Sequence, residues 1–320
     1  MLIVAWEVTA ACNLSCGYCR ASASSLPDVD ELSTEEALSF LSSIAPLQPM
    51  IILSGGEPLL RPDIFQIARH GKALGMRVSL ASNGTTITSQ VADEIAASGI
   101  SRVSISLDGA SSKKHDLIRG KGSFQAAMRG IENLRDKVDF QINNTLTRKN
   151  ESDVAAIFDL AQRVGARALH FFFLVATGRG READLISPER QEQLLREIDR
   201  ERELRPLEVQ VTCAPQYARI ARQGRSRAGG CLAGKSFVFV SRKGDVYPCG
   251  YFPLRVGNIR DKNFIEIWEN ATQLRALRDR NLKGKCGRCS YSSICGGCRA
   301  RAYAETGDFL GEDPACRLEV

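Results

Sequence analysis

At 320 residues the chain has room for one domain of about 200 residues and a smaller appendage. Its net charge of +6 is mild and its arginines are scattered, with no aromatic-interleaved basic stripe, which argues against nucleic acid as a partner. No apolar run approaches the roughly 20 residues that cross a bilayer, so no membrane span is expected. The 11 cysteines occur in a chain too long, and without a signal peptide, for a small secreted disulfide scaffold. An odd total would also strand one thiol. A reducing cytoplasm is the expected compartment.

From the start to about residue 175, short apolar runs alternate with helical patterns. Strands are predicted at 2–8, 50–53, 77–81, 103–107, 139–146 and 168–174, with helices near 34–44, 63–74, 89–97, 124–135 and 153–164. Ser33-Thr34-Glu35-Glu36 reads as a capping box, and Pro62-Asp63 puts proline in a first turn. Such alternation demands a parallel sheet with helices outside. Six units are too few to close an eight-stranded barrel, so the expected α/β architecture is an open, partial (β/α)6 barrel, TIM-like, over residues 1–180. In related barrels chemistry gathers at the C-terminal strand ends. Cys12, Gly55, Asn83, Asp108 and Val175 all fall just past a predicted strand.

Residues 181–225, rich in Arg and Glu, read as a bridge with a helix at 188–203 and a short strand at 208–212. From 226 to 320 the texture turns to Gly, Cys and turn signals. A hairpin at 237–246, turning at Lys243-Gly244, and a helix around 265–278 are its predicted elements. A small cysteine-rich domain this poor in core formers needs staples, and metal clusters supply them.

Cys12, Cys16 and Cys19 are spaced C-x3-C-x2-C. Three thiolates can hold three irons of a 4Fe-4S cube and leave the fourth open, whereas electron-carrying clusters take four cysteines. An open iron can chelate a small molecule and pass it one electron. With Gly55-Gly56-Glu57-Pro58 after the second strand, the run resembles the radical S-adenosylmethionine (radical SAM) superfamily. The resemblance implies that the methionine amine and carboxylate of SAM complete the fourth iron, with Tyr18 near the adenine and Gly55, Gly56 and Glu57 at the amine. It implies Asn83 at the ribose, Ser106 at the SAM carboxylate and Arg119 as a counter-charge. Simple packing of Tyr18 beside a cluster and ordinary turn chemistry of the serines and glycines are the alternatives. A SAM-derived 5′-deoxyadenosyl radical abstracts hydrogen from unactivated carbon, chemistry that the cofactor rather than side chains must carry.

Cys231-x12-Gly244-x4-Cys249, then Cys286-x2-Cys289-x5-Cys295-x2-Cys298 and Cys316, resembles the SPASM extension of radical SAM enzymes. It departs from that pattern in having two residues, not three, before Cys298. Paired C-x2-C knuckles also make zinc ribbons, so zinc is the rival for this set. By resemblance, Cys286, Cys289, Cys295 and Cys316 hold one auxiliary 4Fe-4S cluster, and Cys231, Cys249 and Cys298 hold the other. Cys213 is the remaining thiol, either its fourth ligand or a free buried cysteine.

Ala5-Trp6-Glu7-Val8-Thr9, Val175-Ala176-Thr177-Gly178-Arg179-Gly180, Cys213-Ala214-Pro215 and Tyr247-Pro248-Cys249-Gly250-Tyr251 are similar to the haem-precursor branch of that superfamily. The likeness implies oxidative decarboxylation of iron-coproporphyrin propionates to vinyls, or a step toward haem d1 or didecarboxysirohaem. It also implies an iron-porphyrin substrate and reduced flavodoxin or ferredoxin as electron donor. Arg179 and Arg181 could pair with propionates or form a solvated basic loop. His70, His115 and His170 are candidate haem-iron ligands, His115 first, although lone histidines are more often structural. A peptide modifier is the enzymatic rival; no leader-binding domain is expected ahead of the first strand. A zinc-stabilised binding protein is the non-enzymatic one.

Overall fold

The computed structural model describes residues 1–182, 185–221 and 230–320, with the side chains of 181 and 182 also outside the described set. The six predicted strands form in place: β1 (Ile3–Glu7), β2 (Met50–Ser54), β3 (Arg77–Ser82), β4 (Arg102–Ser106), β5 (Phe140–Leu146) and β6 (Ala168–Phe173). They pair in chain order, each parallel to the next. Helices cover one face because their apolar residues recur at helical spacing. Thr34–Ile44, for example, buries Ala37, Phe40, Leu41 and Ile44, and Phe40 meets Trp6 of β1 edge to face at 5.3 Å. Its capping box closes as predicted: Ser33 and Glu36 exchange side-chain and backbone hydrogen bonds.

The strands' other face lines an open lumen. Register places Ala5, Ile52 and Ser79 in line across β1–β3, and Ser106, Asn143 and His170 across β4–β6. The lumen wall is therefore polar at Ser106, Asn143 and His170, with the Phe172 ring 4.4 Å from that of His170. The opposite face carries large aliphatic and aromatic residues of the main core, including Ile51, Leu53 and Phe171, which pack with helix residues such as Phe158.

The sheet is wider than six strands. β7 (Glu208–Thr212), expected in the bridge, pairs parallel with β6, and β8 (Phe237–Val240) pairs parallel with β1 at the far edge. β9 (Asp245–Tyr247) and β10 (Gly257–Asn258) continue from β8 antiparallel. One ten-stranded sheet results, in the order β10-β9-β8-β1-β2-β3-β4-β5-β6-β7. The cysteine-rich part thus covers an edge that a free parallel strand would leave unpaired. The predicted helix at 265–278 is two, Phe264–Asn270 and Thr272–Asp279, broken at Ala271, whose ψ of 122° is extended. Pro62 lies outside its helix, which begins at Ile64 behind Asp63. A polar helix, Ser112–Arg119, had no apolar stripe to announce it and buries only His115 and Ile118. Among the described residues no helix is long and apolar enough to cross a membrane.

Phe171 is fully buried with its ring 5.5 Å from that of Phe158. Phe171→Ala should destabilise the fold by about 3–5 kcal/mol, read as a lower denaturation midpoint. A loss near zero would contradict its place in the core.

Candidate functional site

The three motif cysteines lie in an irregular loop leaving β1, held from several sides. Cys12 N–H donates to Ser24 O at 2.7 Å and Cys19 N–H to Cys16 O at 3.2 Å. Glu31 accepts from Ala10 N–H at 2.6 Å and from Thr9 Oγ1 at 3.1 Å. Leu14 and Ala23 N–H groups point at the sulfurs of Cys12 and Cys19, at 3.4 and 3.5 Å. Such donors favour thiolate and tune a bound cluster. Burial pushes the thiols of Cys12 and Cys16 up, and at Cys16 the Arg119 guanidinium opposes it. Asn83 Nδ2 and Arg119 Nη1 lie 4.0 Å from the Cys12 and Cys16 sulfurs. Three sulfurs flanked by polar donors suit a cube with one iron open to a ligand.

The Gly55-Gly56 backbone packs directly on this loop. Gly56 N–H donates to Thr9 O at 2.8 Å and Glu57 N–H to Ala11 O at 2.7 Å. A Cβ on Gly55 would lie 2.9 Å from Thr9 O, and one on Gly56 would collide with Ala11 O, so only glycine fits there. Glu57 was expected at the SAM amine. It is wholly buried and accepts from Asn83 N–H at 2.7 Å, Ser82 Oγ at 2.8 Å and Leu59 N–H at 3.2 Å. Its carboxylate fastens β3 to the glycine turn. Asn83, so placed, donates to Asn13 Oδ1 at 2.9 Å beside Cys12.

Tyr18 and Arg119 also have roles beyond those expected. Both meet Asp108, the fully buried residue after β4: the Tyr18 hydroxyl and Arg119 Nε each donate to its Oδ2. Arg119 Nη2 reaches the Tyr18 oxygen at 2.6 Å, and Thr145 N–H donates to Asp108 Oδ1 at 2.8 Å. Asp108 was not among the predicted site residues, although its position just past a strand was the available signal. Ser106, half-buried on the lumen face, has Asn143 beside it in register.

The histidines separate by position. His115 is buried, accepts from Asp108 N–H at Nδ1 (3.1 Å) and is pushed down to about 4 by burial and Arg119; it props the Asp108 turn. His70 meets Ser42 Oγ at 2.9 Å between two outer helices. His170 alone is on the lumen wall, with Nε2 2.6 Å from Thr212 Oγ1. Arg179 sits on the cluster loop: its Nε donates to Cys16 O at 3.0 Å and its Nη1 to Ala23 O at 2.9 Å. The Arg181 side chain lies outside the described residues.

The remaining eight cysteines form two groups. Cys286, Cys289, Cys295 and Cys316 line one cavity together. Cys213, Cys231, Cys249 and Cys298 lie within electrostatic reach of one another. A hydrogen bond between the Cys213 and Cys298 thiols pushes the first well up and the second down to about 7. Cys213 adopts φ 63°, a left-handed conformation that a cysteine holds only where its surroundings demand it. Asp313, absent from the sequence-based site, is the hub between the groups. It is fully buried, accepts from Cys298 N–H at 2.7 Å and Arg301 Nε at 2.8 Å, and its own N–H points at Cys286 Sγ.

Burial pushes Glu57 from 4.5 up to about 7, against its three hydrogen bonds. Between those values the folded state keeps a proton that the unfolded state has lost. Stability from this group is therefore complete below pH 4.5 and falls as pH rises toward 7, by about 3 kcal/mol. Glu57→Gln should flatten that slope in urea unfolding measured across this range; an unchanged slope would contradict the assignment.

The radical SAM superfamily pattern matches residues 6–161, and the SPASM iron-sulfur cluster-binding domain matches residues 231–290. The chain is 47% identical to an AdoMet-dependent heme synthase of Methanosarcina barkeri, over 98% of this chain and 95% of the relative. It is 32% identical to the Fe-coproporphyrin III synthase of the same organism, over 99% of this chain and 88% of that one. In fold it is similar to Streptococcus suis SuiB bound to S-adenosylmethionine, with TM-score 0.77, 18% identity, and coverage of 99% of this chain and 77% of that chain. The matched SPASM pattern decides against the zinc ribbon. Open three-cysteine loop, glycine turn and eight-cysteine extension together make this chain a member of the radical SAM superfamily, an enzyme family of 4Fe-4S clusters and SAM, in the group that carries a SPASM domain.

Proposed function

We propose that this enzyme oxidatively decarboxylates two propionates of iron-coproporphyrin III to vinyls, giving haem b. The observation that carries the reading is the 47% identity to an AdoMet-dependent heme synthase across 95% of that relative. When bound, the first cluster and SAM supply the 5′-deoxyadenosyl radical that removes hydrogen from the substrate. Cys12, Cys16 and Cys19 hold that cluster, and the carbonyl-lined turn at Gly55-Gly56 receives the SAM amine. Asn83 meets the ribose and Ser106 the carboxylate from the lumen side. Glu57, Tyr18, Asp108 and Arg119 keep these groups in place, and Arg179 pins the cluster loop by two carbonyls rather than serving the substrate first.

Loss of CO2 from the substrate radical leaves one electron to remove. Cys213, Cys231, Cys249 and Cys298 hold an acceptor for it, and Cys286, Cys289, Cys295 and Cys316 hold a second cluster. Both groups sit in a cytoplasmic, reducing setting, with a reduced flavodoxin or ferredoxin as the donor.

Cys16→Ala should abolish 5′-deoxyadenosine formation yet retain about 8 of about 12 irons; full SAM cleavage in that variant would refute the site. Reduced enzyme with SAM and iron-coproporphyrin III should give products lighter by one and two formic-acid equivalents by mass spectrometry. Turnover of a peptide with the porphyrin untouched would reject the substrate.

A further inference from the structure

Arg20 follows Cys19 directly, and its side chain reaches back to β1 and β8. Its guanidinium carbon lies 4.3 Å from the centroid of the Phe239 ring on β8. Its Nη2 donates to Glu7 Oε2 at 2.7 Å, and Glu7, at the end of β1 and 2% exposed, is shared with Arg242. Arg242 in turn holds Asp28 at 3.1 Å. Two arginines therefore enclose one buried carboxylate, and Arg20 is the one that reaches residue 250. Its Cδ and Nε lie 3.3 Å from where a Cβ on Gly250 would stand, so the absence of a side chain next to Cys249 makes the space that the guanidinium fills. The Arg20 side chain thus joins the loop of Cys19 to the loop of Cys249.

We propose that Arg20 is a positioning residue that raises the reduction potential of the cluster held by Cys249, so that this cluster accepts the electron released on decarboxylation. The inference rests on the proposed pathway. There a propionate that has lost a hydrogen atom from its β-carbon breaks its bond to the carboxylate. CO2 leaves, the vinyl double bond forms, and one electron reduces the oxidised cluster. The reduced cluster carries one more negative charge, and a cation fixed nearby in a low-dielectric site stabilises that state. Arg20 suits the role better than a lysine would, because its planar group packs on Phe239 while bonding Glu7.

The test is an anaerobic redox titration of the iron-loaded enzyme followed by electron paramagnetic resonance, with the first cluster recognised by its response to SAM. Arg20→Gln should move the midpoint of one auxiliary cluster to a more negative potential, and Arg20→Lys should keep most of the native value. Gly250→Val, which leaves Arg20 in the chain but denies it its space, should lower the same midpoint. Native midpoints in both Arg20→Gln and Gly250→Val would overturn the proposal. So would a shift confined to the SAM-responsive cluster, or an equal shift in Arg20→Lys. A wild-type enzyme that ignored iron-coproporphyrin would sink the substrate assignment alone, since these midpoints need no substrate.

Discussion

An iron left open for a ligand forbids a fourth thiolate, so the cysteine loop must be held rigid by groups that do not bind iron. That constraint organises the C-terminal ends of β1–β4. Asp108 takes the central share: it is fully buried and receives Arg119, Tyr18 and a backbone N–H of β5. A neutral hydrogen bond contributes about 1 kcal/mol net, whereas removing one partner of a buried ion pair costs about 3–5 kcal/mol. The Asp108–Arg119 pair therefore decides whether the Tyr18 segment stays seated, and the neutral contacts at Ser24 and Ala23 refine the loop's path. Glu57 performs the matching task on the other side, tying β3 to the glycine turn.

The SPASM part repeats the arrangement with different residues. Its apolar cluster is small, Phe252, Leu277, Cys298 and Ala300 packed with Val175 of the barrel, too little to fix eight thiols. Asp313 and Arg301 compensate as a buried pair: Arg301 Nη2 also donates to Cys213 O at 2.8 Å, while Asp313 touches the backbone of Cys298 and the sulfur of Cys286. One ion pair thereby sets the relative positions of two cysteine groups. In both parts a carboxylate buried with an arginine replaces regular secondary structure as the support for a metal loop.

What the sequence made legible follows from which signals are local. Strand and helix periodicity predicted β1–β6 and the helix Thr34–Ile44 within a residue or so, because each apolar face is written in consecutive residues. The cysteine spacings were equally local. β8 could be predicted as a strand, but its pairing with β1, more than two hundred residues away, leaves no mark in either segment. Asp108 and Asp313 were missed for a related reason: a lone acid in a turn looks solvated until the fold buries it against an arginine. Glu57 was seen, but its partners Ser82 and Asn83 were not, since a motif shows that a charge is present without showing which donors will reach it.

The pairing of β8 with β1 has a consequence beyond closing an edge. Cys12 leaves the end of β1, and Cys249 follows β9, which is joined to β1 through β8, so both cysteine loops are anchored to one sheet. Their separation is then fixed by strand spacing, about 5 Å per strand, plus the loops themselves, rather than by a deformable interface between domains. Side chains on that shared wall, Glu7 and Phe239 among them, are common to both loops. A linker-joined domain would need the substrate or a closing motion to bring its clusters within electron-transfer range. Here the backbone ladder ties both cysteine loops to one sheet before anything binds.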